Sequence, residues 1–219
     1  MSHCRDEHHD HDHDDHSHDH GHDHDHDGPD RGAEYTLYKQ IDIDNVRCLN
    51  ESMEGAAKTV FKTWEQRADL TKYVESDADE QLIINIPFTA SIKLKSIAIF
   101  GGPGDKTPSR MKAYINRDDV DFDTADTTEP TQEWELVRDV PKGQLAEYPT
   151  RIAKFSNIRN LTLYFPENFG DDISRIYYIG LKGEWMEINK DPIITIYELA
   201  ANPSDHKAKA ERFAGQMIQ

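Results

Sequence analysis

The strongest periodicity along the chain has period two. In Ser91-Ile92-Lys93-Leu94-Lys95 apolar and polar side chains alternate, and Ile97-Ala98-Ile99-Phe100 is then apolar at every position. That is the pattern of a strand running from the rim of a sheet into its centre. Gly101-Gly102-Pro103-Gly104 stops it. Similar runs, rich in Ile, Tyr, Phe and Thr, predict strands at 81–88, 110–115, 133–137, 158–165, 175–181 and 193–199. Gly, Pro, Asn or Asp punctuates each of them. No central segment carries a 3.6-residue apolar stripe long enough for a core helix. Residues 205–218 can form a short helix, but they lack a broad apolar face. Short strands without intervening helices predict an all-β sandwich or barrel rather than βαβ units.

Composition divides the chain. Residues 1–30 contain eleven of the twelve histidines, eleven acids and a single base, which leaves a net charge of −10 there and −7 on the remainder. Almost nothing in residues 1–32 can be buried, so a disordered His/Asp-rich tail is expected, with Gly28-Pro29 and Gly32 marking its end. A folded domain is expected over 33–206 and a C-terminal tail with helical potential over 207–219. The acidic balance disfavours contact with a nucleic-acid backbone or an anionic membrane, since both need clustered Lys and Arg. The two cysteines, Cys4 and Cys48, form no C-x-x-C and no disulfide framework, which points to a reducing compartment. No secretory h-region and no membrane-spanning run is expected. The sequons Asn50-Glu51-Ser52 and Asn160-Leu161-Thr162 are then expected to stay bare.

Candidate chemistry is sparse. His8, His9, His11, His13, His16, His18, His20, His22, His24 and His26 offer imidazole donors for weak, multi-site zinc, nickel or copper binding. The same tail also serves solubility. Glu75-Ser76-Asp77-Ala78-Asp79-Glu80 could supply carboxylates to calcium but fails the EF-hand pattern, and a polar loop bonded to its own backbone is expected. The 101–107 run resembles a phosphate loop only superficially, because Asp105 precedes Lys106, and a hairpin-like turn is expected. The only histidine beyond the tail is His206, close to the C-terminus, which is a poor platform for a triad. Cys48 reads as a buried structural thiol. Trp64, Trp134 and Trp185 serve equally well as interaction anchors or core residues, and Trp134, between Glu133 and Glu135, is expected to face inward.

Several unusual segments occur in order. They are Cys48-Leu49-Asn50-Glu51-Ser52, the 75–82 run, Glu129-Pro130-Thr131-Gln132, Phe155-Ser156-Asn157, the 176–184 run, Tyr197-Glu198, and Ala201-Asn202-Pro203-Ser204-Asp205-His206. Together they resemble the PITH domain family, and the His-rich N-terminus is similar to that of its stand-alone members. The resemblance implies a jelly-roll β-sandwich of the galactose-binding-like kind. It also implies a cytoplasmic and nuclear setting and association with the 26S proteasome as in thioredoxin-linked relatives; no catalytic residue and no cofactor is expected from the residues themselves. This chain has no thioredoxin domain, so the redox half of that activity does not carry over. By fold analogy, a small-ligand or carbohydrate site at the loop edge is the alternative.

Overall fold

A computed structural model describes residues 35–141 and 144–187. Eight antiparallel strands and one short helix follow in chain order: β1 Arg47–Leu49, β2 Val74–Glu75, β3 Leu82–Gly101, β4 Arg110–Ile115, α1 Phe122–Thr127, β5 Gln132–Glu135, β6 Ala146–Pro149, β7 Ile158–Phe165 and β8 Arg175–Met186. The expected runs at 81–88 and 91–100 are a single 20-residue strand. Its first half lies between β1 and β7, and its second half lies between β8 and β6. The ladder with β7 is irregular between Pro87 and Ile92, where β3 leaves one layer and enters the other. The front layer is therefore β1, the start of β3, β7, β4 and β5. The back layer is β2, β8, the end of β3 and β6. This is an all-β sandwich of the jelly-roll class, as the strand pattern predicts.

Alternation sets which side chains fill the space between the layers. Leu82, Ile84, Ile86, Ile92 and Leu94 of β3 point inward and meet Leu161, Leu163 and Phe165 of β7. A bulge between Leu94 and Ser96 then shifts the parity, so that Ile97 and Ile99 take over the inward positions. A second irregularity opposite Phe100 and Gly101 does the same for β8, where Tyr177 and Tyr178 both fall between the inward-facing Ile176 and Ile179. Two adjacent tyrosines thus stand on the outer face of the back layer. Gly183 is required by close approach, because a Cβ there would lie 2.2 Å from the carbonyl oxygen of Lys93.

Other expectations resolve as follows. The 101–107 run is not a hairpin turn. It carries the chain from β3 in the back layer to β4 in the front layer, and these strands do not pair, because β4 is flanked by β5 and β7. The 75–80 segment is the expected polar loop after Glu75 of β2, but it is bonded to itself only in part: the Asp79 carboxylate accepts from the Gln81 amide (3.0 Å), and other bonds come from Asn50. The Asn50 side-chain amide donates to the Asp79 carbonyl (3.3 Å), the Asp79 carboxylate (2.7 Å) and the Gln81 carbonyl (2.7 Å), and its oxygen accepts from the Ala78 amide (3.0 Å). Trp134 faces inward as expected, packed against the core with its indole NH on the Pro149 carbonyl at 2.9 Å. The predicted strand at 193–199, the C-terminal helix, His206 and all the tail histidines lie outside the described residues.

Candidate functional site

The two outer faces of the sandwich are chemically unlike. On the back layer the outward positions of β3 and β8 are Ala98, Phe100, Tyr177, Tyr178, Gly180 and Lys182. Tyr178 lies over Gly180, where a Cβ would come within 2.8 Å of the phenol ring, and burial pushes the phenol pKa up to about 12. Trp64 lies between the Arg67 guanidinium (4.2 Å) and the Lys182 ammonium (4.6 Å), and Lys182 also pairs with Glu147. Farther along, Arg175 sits 4.3 Å over Tyr73 and grips Glu75 through Nε (3.0 Å) and Nη2 (2.6 Å), with Lys106 on the same carboxylate oxygen. Beneath this layer of aromatics the buried Lys62 ammonium donates to three carbonyls, those of Asp69 (2.6 Å), Lys72 (2.9 Å) and Tyr177 (3.0 Å). These contacts pin the 62–73 segment onto β8. A mainly apolar hollow of about 580 Å³, lined by Leu70, Phe100, Val140 and Leu145, remains open beside it.

On the front layer the strand register produces outward rows. One row runs Leu49, Ile83, Tyr164, Lys112, and the next runs Arg47, Asn85, Thr162, Tyr114. Pro87 and Asn160 form a third pair. Half of this face is covered. α1 and the residues before it lay Val120, Phe122 and Ala125 over Ile83, Tyr114 and Tyr164. The helix starts there because the Asp121 carboxylate accepts from the Thr124 amide at 2.8 Å. The other half is open. Asn85 donates to Asn160 Oδ1 and to Thr162 Oγ1, both at 3.0 Å, so a bridged pair of side-chain amides forms the floor. The segment from Asp44 to Lys58 makes one wall and Asp118–Asp121 the other, and the space divides into adjoining hollows of about 620 and 280 Å³.

Most ionisable groups around this groove are held by the fold. Glu51 accepts from the Gly55 and Ala57 amides at 2.7 and 2.8 Å, and Asp119 is paired with Arg117 at 2.7 Å. Lys58 donates to the Asp44 carbonyl at 2.7 Å. Cys48 is half-buried rather than fully buried, packs against the core, and burial, reinforced by Glu51, pushes its thiol above the ordinary range. Among the described residues no group of three or more His, Cys, Asp or Glu is placed to hold a metal ion, and no helix is long and apolar enough to cross a membrane.

Sequence reasoning singled out Cys48 and the three tryptophans but missed the Asn85–Asn160–Thr162 row and Lys62. A signal for the row was present. Asn85 interrupts Ile83-Ile84-Asn85-Ile86, and Asn160 and Thr162 alternate with Leu161 and Leu163, so polar residues fall on the outward positions of two central strands. Lys62 left no comparable trace, because its partners are backbone carbonyls, two of them on the loop that follows it and one on β8, and a carbonyl carries no side-chain signature.

Comparison with known proteins places these two faces in a family. The PITH domain family model matches residues 27–201. PITH domain-containing protein CG6153 of Drosophila melanogaster is 51% identical over 191 residues, covering 87% of this chain and 89% of that protein. The human PITH domain-containing protein 1 is 48% identical over 178 residues, covering 81% and 83% respectively. Among solved structures, the family 32 carbohydrate-binding module of Clostridium perfringens NanJ, in complex with galactose, superposes with a TM-score of 0.47 at 10% identity, over 67% of this chain and 96% of that one. A fucolectin from striped bass (Morone saxatilis) gives 0.47 at 10% identity, over 69% and 49%. With 175 consecutive residues under the family model and about half of the aligned residues shared across most of both chains, this protein belongs to the PITH domain family.

Proposed function

We propose that this chain acts by contact rather than by catalysis, as an interaction module that docks on the 26S proteasome or an associated regulatory complex in the cytoplasm and nucleus. The observation that carries the reading is the open groove on the front layer. It is a rigid platform of paired strands with hydrogen-bonding amides on its floor and the exposed Leu49 beside them, large enough for a segment of a partner. The ionisable side chains elsewhere support it by their employment. Lys62, Glu75 and Arg175 are each bonded into the fold, which leaves them poorly placed to turn over a substrate.

The test is affinity capture from cell extract with the full chain at low salt, followed by mass spectrometry. Recovery of proteasome subunits in stoichiometric amounts is expected. Their absence at low salt, with the bait intact, would remove the proposal's main support.

A further inference from the structure

The front groove also specifies what it would hold. Three carboxylates on its walls, Asp44 and Glu54 on one side and Asp118 on the other, make no side-chain hydrogen bond or ion pair among the described residues. Arg47 and Lys58 are the cations of the larger hollow; Lys58 is bonded to a neutral carbonyl and keeps its charge, and the four carboxylates Asp44, Glu51, Glu54 and Asp118 exceed the two cations. The rim therefore carries an excess of unneutralised negative charge. The floor offers something different. A side-chain amide carries two N–H donors and an oxygen with two lone pairs, the same kinds of group that a peptide unit offers. Asn85 gives both N–H groups to Asn160 and Thr162 and accepts from Asn160, so the pair leaves one N–H of Asn160 and the second lone pair of each amide oxygen for a ligand.

We propose that this groove receives an extended, basic segment of a partner protein, its peptide groups on the Asn85 and Asn160 amides and its Lys or Arg side chains among Asp44, Glu54 and Asp118. The inference rests on the reading of the chain as an interaction module. Charge complementarity selects this occupant. A second copy of the chain, at net −17, would meet repulsion, and a nucleic-acid backbone would meet the same carboxylates. A sugar would find no aromatic ring, because none lines the larger hollow.

The probes are two fluorescent peptides, one alternating lysine with serine and one alternating glutamate with serine, titrated into the full chain. The lysine peptide is expected to bind and to shift the side-chain amide resonances of Asn85 and Asn160. Its affinity should fall about tenfold in the double variant Glu54→Gln/Asp118→Asn, in which two attractions are lost. The control is Asp171→Asn/Asp172→Asn, in an acidic hollow elsewhere on the surface, which should leave the affinity within about twofold. Equal weakening in both pairs, or resonance shifts that bypass Asn85 and Asn160, would show attraction to acidic surface in general and overturn the proposal. Affinity capture separates this idea from the one beneath it. If the wild type recovers proteasome subunits and Glu54→Gln/Asp118→Asn recovers them equally, the groove is not the docking site. If the wild type recovers none while the lysine peptide still maps to the groove, the basic-segment site stands and proteasome docking falls.

Discussion

On the back layer Lys62 is sunk beneath aromatic side chains and bonded to three carbonyls, while on the front layer Arg47 stands exposed beside an open row of amides. Both faces belong to strands of one sandwich, and both carry polar groups on outward positions. They differ in what lies over them. The 62–73 segment lays Trp64 and Tyr73 across the back face and locks them with Arg67, Lys182 and Arg175. Among the described residues the front face receives α1 over one half and nothing over the other. Charge on the back face is therefore spent on holding the fold, and charge on the front rim is available to another molecule.

That contrast can be broken most forcefully at Lys62. Lys62→Met should destabilise the domain by about 3 kcal/mol, because three part-buried carbonyls lose a charged donor. Chemical denaturation with an unchanged m-value would measure it. Next in size is Gly180→Ala, which sets a methyl group 2.8 Å from the Tyr178 ring and should cost about 2 kcal/mol as the packed phenol is displaced. The counterpart on the front face is Asn85→Ala with Asn160→Ala. Both side chains are only half-buried, so a loss of about 1 kcal/mol or less is expected in the same denaturation experiment. A loss as large as that of Lys62→Met would mean that the amide row is structural and would erase the distinction.

The smallest effect sharpens the comparison on the covered half of the front layer. The Thr124 hydroxyl and amide both bond the Asp121 carboxylate and hold its pKa below the ordinary range. A depressed carboxylate contributes stability above its unfolded pKa and loses that contribution as pH falls through the folded value. The protection factor of the Thr124 amide, its exchange rate relative to the intrinsic rate at each pH, should therefore fall in acid. Asp121→Asn, which keeps the cap without the charge, should flatten that dependence. Separately, zinc titration of the full chain against one beginning at Ala33 tests the tail histidines, with tighter binding expected in the full chain.

The strands were legible wherever alternation was long. The runs at 110–115 and 158–165 coincide with β4 and β7 to the residue. β1, β2 and β6, at three, two and four residues, are too short for a period to register. The union of two expected strands into β3 was hidden because Phe88-Thr89-Ala90 keeps the alternation going through a bend, and a bend leaves no mark in a hydrophobic pattern. The groove was harder still. Its floor follows from register, which sets Asn85 against Thr162 and Pro87 against Asn160, and register is a relation between segments some 75 residues apart.

β3 runs through both layers and pairs with β1, β6, β7 and β8. Such a strand acts like a shared spine, since neither layer can peel away while the other persists without tearing the chain's longest ladder. Opening of the sandwich should then be all-or-none, with the slowest-exchanging amides of both layers opening together as one unit. A domain that opens only as one unit keeps its two unlike faces at a fixed spacing until it unfolds altogether.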